Sequence, residues 1–323
     1  NLMNARILFY CLLAIGLLLA GAASTLAQNT LEDAKKAITN ENYSQAVQIL
    51  NGLMMKDGKD GRPYYYKGLA YHKQAFEEGT EEAQRTQLLN MANETFNLGL
   101  SKSKKDGYNY VGLALAQIAK GNMAGAKEQI TKALEANGTD VNLVLEAANA
   151  YLWAFEQESS KGKAGNMSIK EDAVQQATVL VTKATSMDAK NADSFITLGD
   201  LYALRKIEEA PETNYRKALE LNPKSAVAHY KIAQIHIKNK KYNDAKDELL
   251  KVKELDPGYA PAYKDLSDLY FKAGQFKIAK DFALDWKRLL GNDKRANARY
   301  AMLLYFSGNY ADAVTALQDL MKD

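Results

Sequence analysis

The chain has 323 residues, of which 47% are apolar and 25% are charged, a composition typical of folded proteins and not of disordered ones. Lys and Arg number 42 and Asp and Glu number 39, so the net charge is only +3. This balance disfavours a dedicated nucleic-acid binder, which would need a clustered basic surface.

The first 27 residues have the three regions of a secretory signal. Arg6 gives a positively charged start, residues 7–19 carry no charge, and small residues lead to Ala27 and Gln28. The strongly apolar part is shorter than the roughly 20 residues that cross a bilayer. We therefore expect cleavage after Ala27 and export of the mature chain. The alternative is that the segment is retained as a membrane anchor.

A 34-residue repeat organises the rest of the chain. A small residue recurs at the eighth position of each unit, at separations of 34, 46, 34, 51, 34, 34 and 34 residues. These residues are Ala34, Gly68, Ala114, Ala148, Gly199, Ala233, Ser267 and Ala301. Positions 4, 7, 8 and 11 share one face of a first helix, and positions 20, 24 and 27 share one face of a second. Small residues at positions 8 and 20 predict close helix contacts.

These residues resemble the tetratricopeptide repeat (TPR) signature, in which a proline such as Pro223 or Pro257 ends the second helix of a unit. The resemblance implies an all-α fold: a TPR α-solenoid, that is, a right-handed superhelix of about eight helix-turn-helix units over residues 28–323. Pro211 stands at position 20 of the fifth unit, where the other units have alanine. It predicts a shortened second helix there.

The two longer separations predict insertions at about residues 76–90 and 155–172. The second contains Ser159, Ser160, Gly162 and Gly165, which favour a mobile loop. We expect either a lengthened loop with no role of its own or a contact with a specific partner, since insertions in repeat arrays project on one face.

The last unit has no polar cap in this sequence. Solenoids usually need one, so Leu303, Leu317, Leu320 and Met321 are expected to be partly exposed. This pattern favours a natural chain that continues beyond Asp323; the alternative is that this end docks on another surface.

The sequence contains no recognisable catalytic or metal-binding motif. His229 and His236 are seven residues apart on one helix, at core positions, and His72 is on the groove side of the second unit. The only cysteine, Cys11, lies in the signal, and no zinc or phosphate-binding motif is present. We therefore predict a protein that is not an enzyme and has no cofactor or metal site.

The family resemblance also implies which residues face the concave groove, namely those at positions 2, 5, 9, 12 and 13 of each unit. We expect a partner-binding groove because Tyr and Trp are favoured in binding hot spots. The candidate residues are Tyr65, His72, Tyr108, Asn149, Trp153, Asp200, Tyr230, Gln234, Lys264, Asp268, Phe271 and Tyr305. Tyr65→Ala or Tyr230→Ala is expected to weaken partner capture with little loss of helicity.

Some TPR proteins bind a C-terminal carboxylate through Lys at position 5 and Asn at position 9 of one unit. Here Asn149 is paired with Leu145 and Lys264 with Asp268, so this clamp is disfavoured. A groove rich in apolar and aromatic residues fits an extended segment or a partner helix better.

The resulting prediction is a non-catalytic protein–protein interaction scaffold of the bacterial periplasm or cell envelope. Its partners would be proteins or peptides and not nucleic acid, with a membrane association only if the N-terminal segment is retained. The alternative is the regulatory TPR region of a larger enzyme or sensor whose catalytic domain follows residue 323.

Overall fold

The computed structural model describes residues 29–291 and 293–321; the predicted signal at 1–27 lies outside this part of the chain. The described residues form sixteen α-helices and one short 3-10 turn, with no strand. The first eight helices are α1 (Leu31–Thr39), α2 (Tyr43–Lys56), α3 (Arg62–Ala75), α4 (Glu82–Lys102), α5 (Tyr108–Ala119), α6 (Met123–Asn137), α7 (Val141–Ser160) and α8 (Met167–Met187). The others are α9 (Ala192–Leu204), α10 (Ala210–Leu221), α11 (Ala226–Lys238), α12 (Tyr242–Leu255), α13 (Ala260–Lys272), α14 (Phe276–Leu290), α15 (Lys294–Phe306) and α16 (Tyr310–Leu320).

Successive helices pair into eight antiparallel hairpins, hairpin 1 being α1–α2 and hairpin 8 being α15–α16. Within each hairpin the two helices contact each other, and each second helix also contacts the first helix of the next hairpin. In hairpins 1 to 5 the first helices of neighbouring hairpins touch as well, whereas the second helices are farther apart. The array therefore curves, with the first helices on its concave face.

The turn inside most hairpins needs one residue in the left-handed backbone region. Gly121, Gly274 and Gly308 occupy this position with φ of 74°, 72° and 85°. Glu41 and Lys240 occupy it in hairpins 1 and 6, each with φ of 59°. Glycine adopts this conformation at no steric cost, whereas a residue with a side chain adopts it at some cost in stability.

Small residues bring the two helices of a hairpin into close contact. Position 20 is fully or almost fully buried in the seven units that carry alanine there. A methyl group added to Gly68 would come within 2.3 Å of the Phe96 ring, and one added to Gly199 would come within 2.3 Å of Tyr215. The predicted repeat register is therefore confirmed by packing, and the all-α solenoid is confirmed as the fold.

The insertions lengthen helices more than they lengthen loops. In hairpin 2 the connection spans residues 76–81, and α4 then runs for 21 residues. In hairpin 4, α7 extends through Ser160, Gly162–Ala164 form the 3-10 turn, and α8 has 21 residues. Ser159 and Ser160, which were expected in a loop, instead continue α7, so the connection between the two helices is limited to residues 161–166. Pro211 acts as predicted: α10 has only 12 residues and starts beside this proline.

The last hairpin leaves part of its apolar side uncovered. Leu317 and Met321 are 48% and 84% exposed, as expected, and Leu320 is half-buried. Leu303 was expected to be exposed as well, but it is fully buried because it packs against Ala279 and Ala283 of α14. None of the described helices is both long enough and apolar enough to cross a bilayer.

The solenoid completes one turn, and its beginning touches its end. The buried Asn40 donates to Asp256 at 3.1 Å, and Asn42 donates to the backbone oxygen of Leu289 at 3.1 Å. Lys36 forms an ion pair with Asp256 at 3.0 Å. The loop of hairpin 1 is thereby attached to the loops on either side of hairpin 7. We call these contacts, together with those of Arg295 described below, the clasp.

Candidate functional site

The concave face contains two adjoining cavities. The smaller has a volume of about 590 Å³ and draws its wall from all eight hairpins, almost entirely from first helices and the loops beside them. The larger, of about 1090 Å³, lies between hairpins 5 and 6, where the start of α10 at Pro211 forms part of the wall. Glu156, Asp200, Leu204 and Lys231 line both cavities and mark their junction.

An aromatic group forms one side of the smaller cavity. The ring of Trp153 lies 4.5 Å from that of His72 and 5.0 Å from that of Phe76, centroid to centroid, both in edge-to-face geometry. Trp153 and Phe76 are half-buried, so each ring keeps part of its surface open to the cavity. Such rings offer a large rigid contact area to a bound segment.

His72 is buried beneath this aromatic group without a hydrogen-bond partner. Its side chain is only 3% exposed, and neither Nδ1 nor Nε2 has a partner among the described residues. Burial lowers the pKa of His72 to about 3, with a smaller contribution from Lys73. The imidazole is therefore neutral at pH 7 and has one donor and one acceptor unused.

Carboxylates outnumber basic groups on the wall of the smaller cavity. The acidic residues are Glu41, Glu77, Glu78, Glu146, Glu156 and Asp200, and the basic residues are Lys73, Lys231, Lys264 and Arg295. Six acidic groups against four basic groups leave a formal surplus of two negative charges. Glu146 accepts hydrogen bonds from the hydroxyls of Tyr65 at 3.0 Å and Tyr66 at 3.3 Å, and burial raises its pKa.

The junction of the cavities contains one paired and one unpaired carboxylate. Asp200 accepts from the Tyr215 hydroxyl at 2.6 Å and forms an ion pair with Lys231 at 2.9 Å. Asp200 raises the pKa of Lys231 even though burial opposes this. Glu156 lines both cavities and makes no hydrogen bond or ion pair with any described residue. Its partial desolvation within the concave face raises its pKa.

Arg295 closes the smaller cavity on the side of the clasp. Its Nη2 lies 2.8 Å from Glu77, 2.8 Å from Asp293 and 3.5 Å from Glu41. Burial raises the pKa of Glu77 to about 7, against the opposing effect of Arg295. The guanidinium thus connects hairpins 1, 2 and 8 and completes the cavity wall.

Eight of the twelve predicted groove residues line the two cavities. Tyr65, His72, Asn149, Trp153 and Lys264 line the smaller cavity, Tyr230 and Gln234 line the larger, and Asp200 lines both. Tyr108, Asp268, Phe271 and Tyr305 line neither.

Two of the predicted tyrosines are core residues. Tyr65 is 1% exposed and Tyr108 is 4% exposed, and their ring centroids lie 5.5 Å apart. Tyr65 reaches the cavity only along one edge, and the Tyr108 hydroxyl donates to Asp140 at 3.0 Å. These two rings stabilise the contact between hairpins 2 and 3.

The remaining three predicted residues belong to a separate surface near the C-terminal hairpins. Arg299 forms an ion pair with Asp268 at 2.6 Å and lies over the Phe271 ring at 4.6 Å. Tyr305 is 58% exposed and packs against Phe306 with its centroid 5.7 Å away. These residues do not contact the cavities described above.

Several cavity residues were not among those predicted from the sequence. Arg295 and Lys73 stand at repeat positions 2 and 13, which the family pattern assigns to the groove, so a signal for them was present. Glu146 and Lys231 both stand at position 6, which the pattern does not assign there. Glu77 lies within an insertion, where the repeat gives no guidance.

No group of three or more His, Cys, Asp or Glu residues in the described part of the chain is arranged to hold a metal ion.

Comparisons with known proteins agree with this architecture. Residues 201–265 match the tetratricopeptide repeat family model. No curated protein matches the sequence.

Three solved structures are similar to this chain over part of its length. The human IFIT1 dimer with m7Gppp-AAAA is 15% identical, with 87% of this chain and 68% of that one covered and a TM-score of 0.48. The human IFIT1 dimer with PPP-AAAA is 16% identical, with 88% and 69% covered and a TM-score of 0.48. MamA is 20% identical, with 54% and 91% covered and a TM-score of 0.38. From its helical hairpins and its repeat register, the chain is an α-solenoid, and residues 201–265 of it are similar to the tetratricopeptide repeat.

Proposed function

We propose that the protein is a non-catalytic scaffold of the cell envelope that binds a peptide segment or a helix of a partner protein on its concave face. The observation that carries the proposal is the pair of joined cavities. The volume of the smaller, about 590 Å³, lies within the range of roughly 300–1000 Å³ that is usual for ligand pockets, and that of the larger, about 1090 Å³, lies just above it. Helical solenoids of this type typically act in protein–protein interaction and not in catalysis.

The chemistry of the wall supports a polypeptide as the bound partner. The aromatic rings around Trp153 share the wall of the smaller cavity with the polar Asn149, and Gln234 lines the larger cavity. Rigid rings that provide contact area and polar side chains that provide orientation are combined in this way in protein interfaces. The excess of carboxylates disfavours a nucleic acid, whose phosphates need a surplus of positive charge. The predicted signal in residues 1–27 supports a location in the envelope.

An obstruction experiment tests the groove. Asn149 is exposed within the smaller cavity, so Asn149→Trp should fill the cavity without disturbing the core. Asn97, exposed on the outer helix α4, provides the matched control Asn97→Trp. The full-length protein and both variants would be used as bait in envelope extract, with the captured proteins identified by mass spectrometry. We expect Asn149→Trp to lose proteins that the wild type and Asn97→Trp retain; equal capture by all three would overturn the proposal.

Location is tested separately. The N-terminal sequence of the protein recovered from the periplasmic fraction should begin at Gln28 if the signal is cleaved as predicted. Recovery of the uncleaved chain in the membrane fraction would instead indicate an anchor. Recovery in the cytoplasm alone would refute the envelope location.

A further inference from the structure

The smaller cavity has acidic groups that the protein itself does not neutralise. Arg295 is engaged by Glu77, Glu41 and Asp293, and Lys231 by Asp200. After these internal pairs are set aside, Glu78, Glu146 and Glu156 remain against Lys73 and Lys264.

Among the carboxylates that remain, Glu156 is the one that lines both cavities, whereas Glu78 and Glu146 line only the smaller. Glu146 is already bound by two tyrosine hydroxyls. Glu156 has no such partner, lies at the junction of the two cavities and is exposed to both. Lys231 and Lys73 act on it only at longer range. An incoming cation would therefore meet an ionisable group whose charged form the surrounding protein does not fully stabilise.

The aromatic group beside Glu156 supplies a surface for the rest of such a side chain. Trp153 precedes Glu156 by three residues on α7, which places both on the same side of that helix. Lysine and arginine pack their methylene stems against apolar surface, and aromatic faces attract their charged ends.

A second observation points independently to a ligand at the same place. His72 is buried against Trp153, and neither of its ring nitrogens has a partner in the part of the chain that the structure describes, although buried polar groups in proteins almost always have one. His72 and Trp153 both line the smaller cavity, so a segment bound there would lie next to the unused donor and acceptor of the imidazole.

We infer that the segment bound in the groove inserts a lysine or arginine side chain into the smaller cavity, with its charge at Glu156 and its stem along Trp153. The inference rests on the proposed function and specifies the partner as a polypeptide segment with a basic side chain. An anionic partner would place its charge against the acidic surplus.

The test uses peptides selected on the protein itself. A random-peptide phage library would be panned against the full-length wild type, and the most enriched sequence would be synthesised with a fluorescent label. Its affinity for the wild type, Glu156→Gln and Glu135→Gln would be measured by anisotropy. Glu135 is exposed on the outer helix α6 and serves as the matched control. Circular dichroism would verify that both variants retain the helical fold.

The expected result has three parts. Enriched peptides should carry Lys or Arg, Glu156→Gln should weaken their binding by about tenfold, and Glu135→Gln should leave it unchanged. Replacing the basic residue of the peptide by norleucine should cause a similar loss, and Glu156→Gln should then add little, as expected for two groups that contact each other.

Two other outcomes separate the inference from the proposed function. The first concerns peptides whose binding is weakened by Asn149→Trp. If these peptides lack basic residues, or bind Glu156→Gln as well as they bind the wild type, the inference is overturned and the groove assignment stays intact. The second outcome is that Asn149→Trp does not weaken the binding of any enriched peptide, or that it weakens the binding of 5′-triphosphorylated oligoadenylate RNA. Either result overturns both the inference and the proposed function.

Discussion

Arg295 and Glu77 meet at 2.8 Å between Nη2 and Oε1, although 218 positions separate them in the sequence. Their contact joins hairpin 8 to hairpin 2 and, through Glu41, to hairpin 1. In a linear array each hairpin would contact only its neighbours, and stability would be a sum of nearest-neighbour terms. The clasp adds a long-range connection and completes the wall of the smaller cavity.

Removal of the clasp guanidinium should loosen the solenoid. Arg295 is 21% exposed and faces three carboxylates, so Arg295→Ala leaves Glu77 and Asp293 without their counter-charge. We expect a loss of about 1–3 kcal/mol in the free energy of unfolding by urea, together with a larger radius of gyration in small-angle scattering. Arg288→Ala removes a more exposed ion pair with Asp285 and should change stability by less than about 1 kcal/mol. Identical scattering and unfolding curves for wild type and Arg295→Ala would show that the clasp is not energetically important.

Glu77 should make stability depend on pH in a defined direction. Its pKa is about 7 in the folded protein against an ordinary value of 4.5, because burial disfavours the ionised form. The folded state therefore binds the proton of Glu77 more tightly than the unfolded state, which stabilises the folded protein. This stabilisation is fully present below about pH 4.5 and is lost as the pH rises through 7.

The corresponding measurement compares wild type with Glu77→Gln in urea at about pH 5 and pH 8. Glutamine cannot ionise, so the difference in unfolding free energy between the two proteins should shift with pH in favour of the glutamine variant, by up to about 3 kcal/mol. Other buried acids such as Asp265, whose pKa burial raises to about 6, contribute equally to both proteins and cancel in the difference. If the difference in unfolding free energy between wild type and Glu77→Gln is the same at both pH values, the raised pKa of Glu77 is contradicted.

The repeat register makes Ala233 intolerant of a larger side chain. Ala233 is fully buried on α11 and belongs to one apolar cluster with Ala245 and Leu249 of α12. Ala233→Leu should cost about 1–3 kcal/mol by overpacking and lower the melting temperature. Ala124 is exposed on α6, so Ala124→Leu should leave the melting temperature almost unchanged. Equal effects of the two substitutions in a thermal melt would refute the register.

The left-handed turn position offers a stabilising substitution. Lys240 has φ of 59° and is exposed, whereas Gly274 fills the equivalent position in hairpin 7. Lys240→Gly should raise the free energy of unfolding by roughly 0.5–1 kcal/mol, since glycine removes the steric cost of this conformation. The reciprocal Gly274→Lys should lower it. A loss of stability on Lys240→Gly would mean that the lysine makes contacts that outweigh the backbone cost.

Tyr65 is expected to matter for folding before it matters for binding. Because its ring is 1% exposed, we expect Tyr65→Ala to cost about 3–5 kcal/mol and so to disturb the fold as well as partner capture. Tyr65→Phe keeps the ring and removes only the hydrogen bond to Glu146, with an expected cost of about 1–3 kcal/mol. Urea unfolding distinguishes the two; an equal loss for both variants would show that the hydroxyl, and not the ring, carries the contribution.

The sequence placed the candidate site only in part, for a physical reason. Repeat positions identify the side of a helix on which a residue lies, and this placed Asn149, Trp153 and Lys264 correctly at the cavity. Repeat positions do not determine how much of that side of the helix the neighbouring hairpin covers. Tyr108 was therefore predicted in the groove, although it packs against Tyr65 and Tyr66. Glu156 stands after the assigned positions, on the extra length that the insertion gives to α7.

Local patterns in the sequence were sufficient for the solenoid itself. The 34-residue repeat determines contacts within one hairpin or between neighbouring hairpins. The evidence for it is the regular spacing of small residues from Ala34 to Ala301, the alanines at position 20 and the break at Pro211. The meeting of Arg295 with Glu77, and of Asn40 with Asp256, depends on small rotations that accumulate over seven hairpins. No local pattern fixes that sum, so only the tertiary structure decided that the turn closes and that an acidic, aromatic cavity forms inside it.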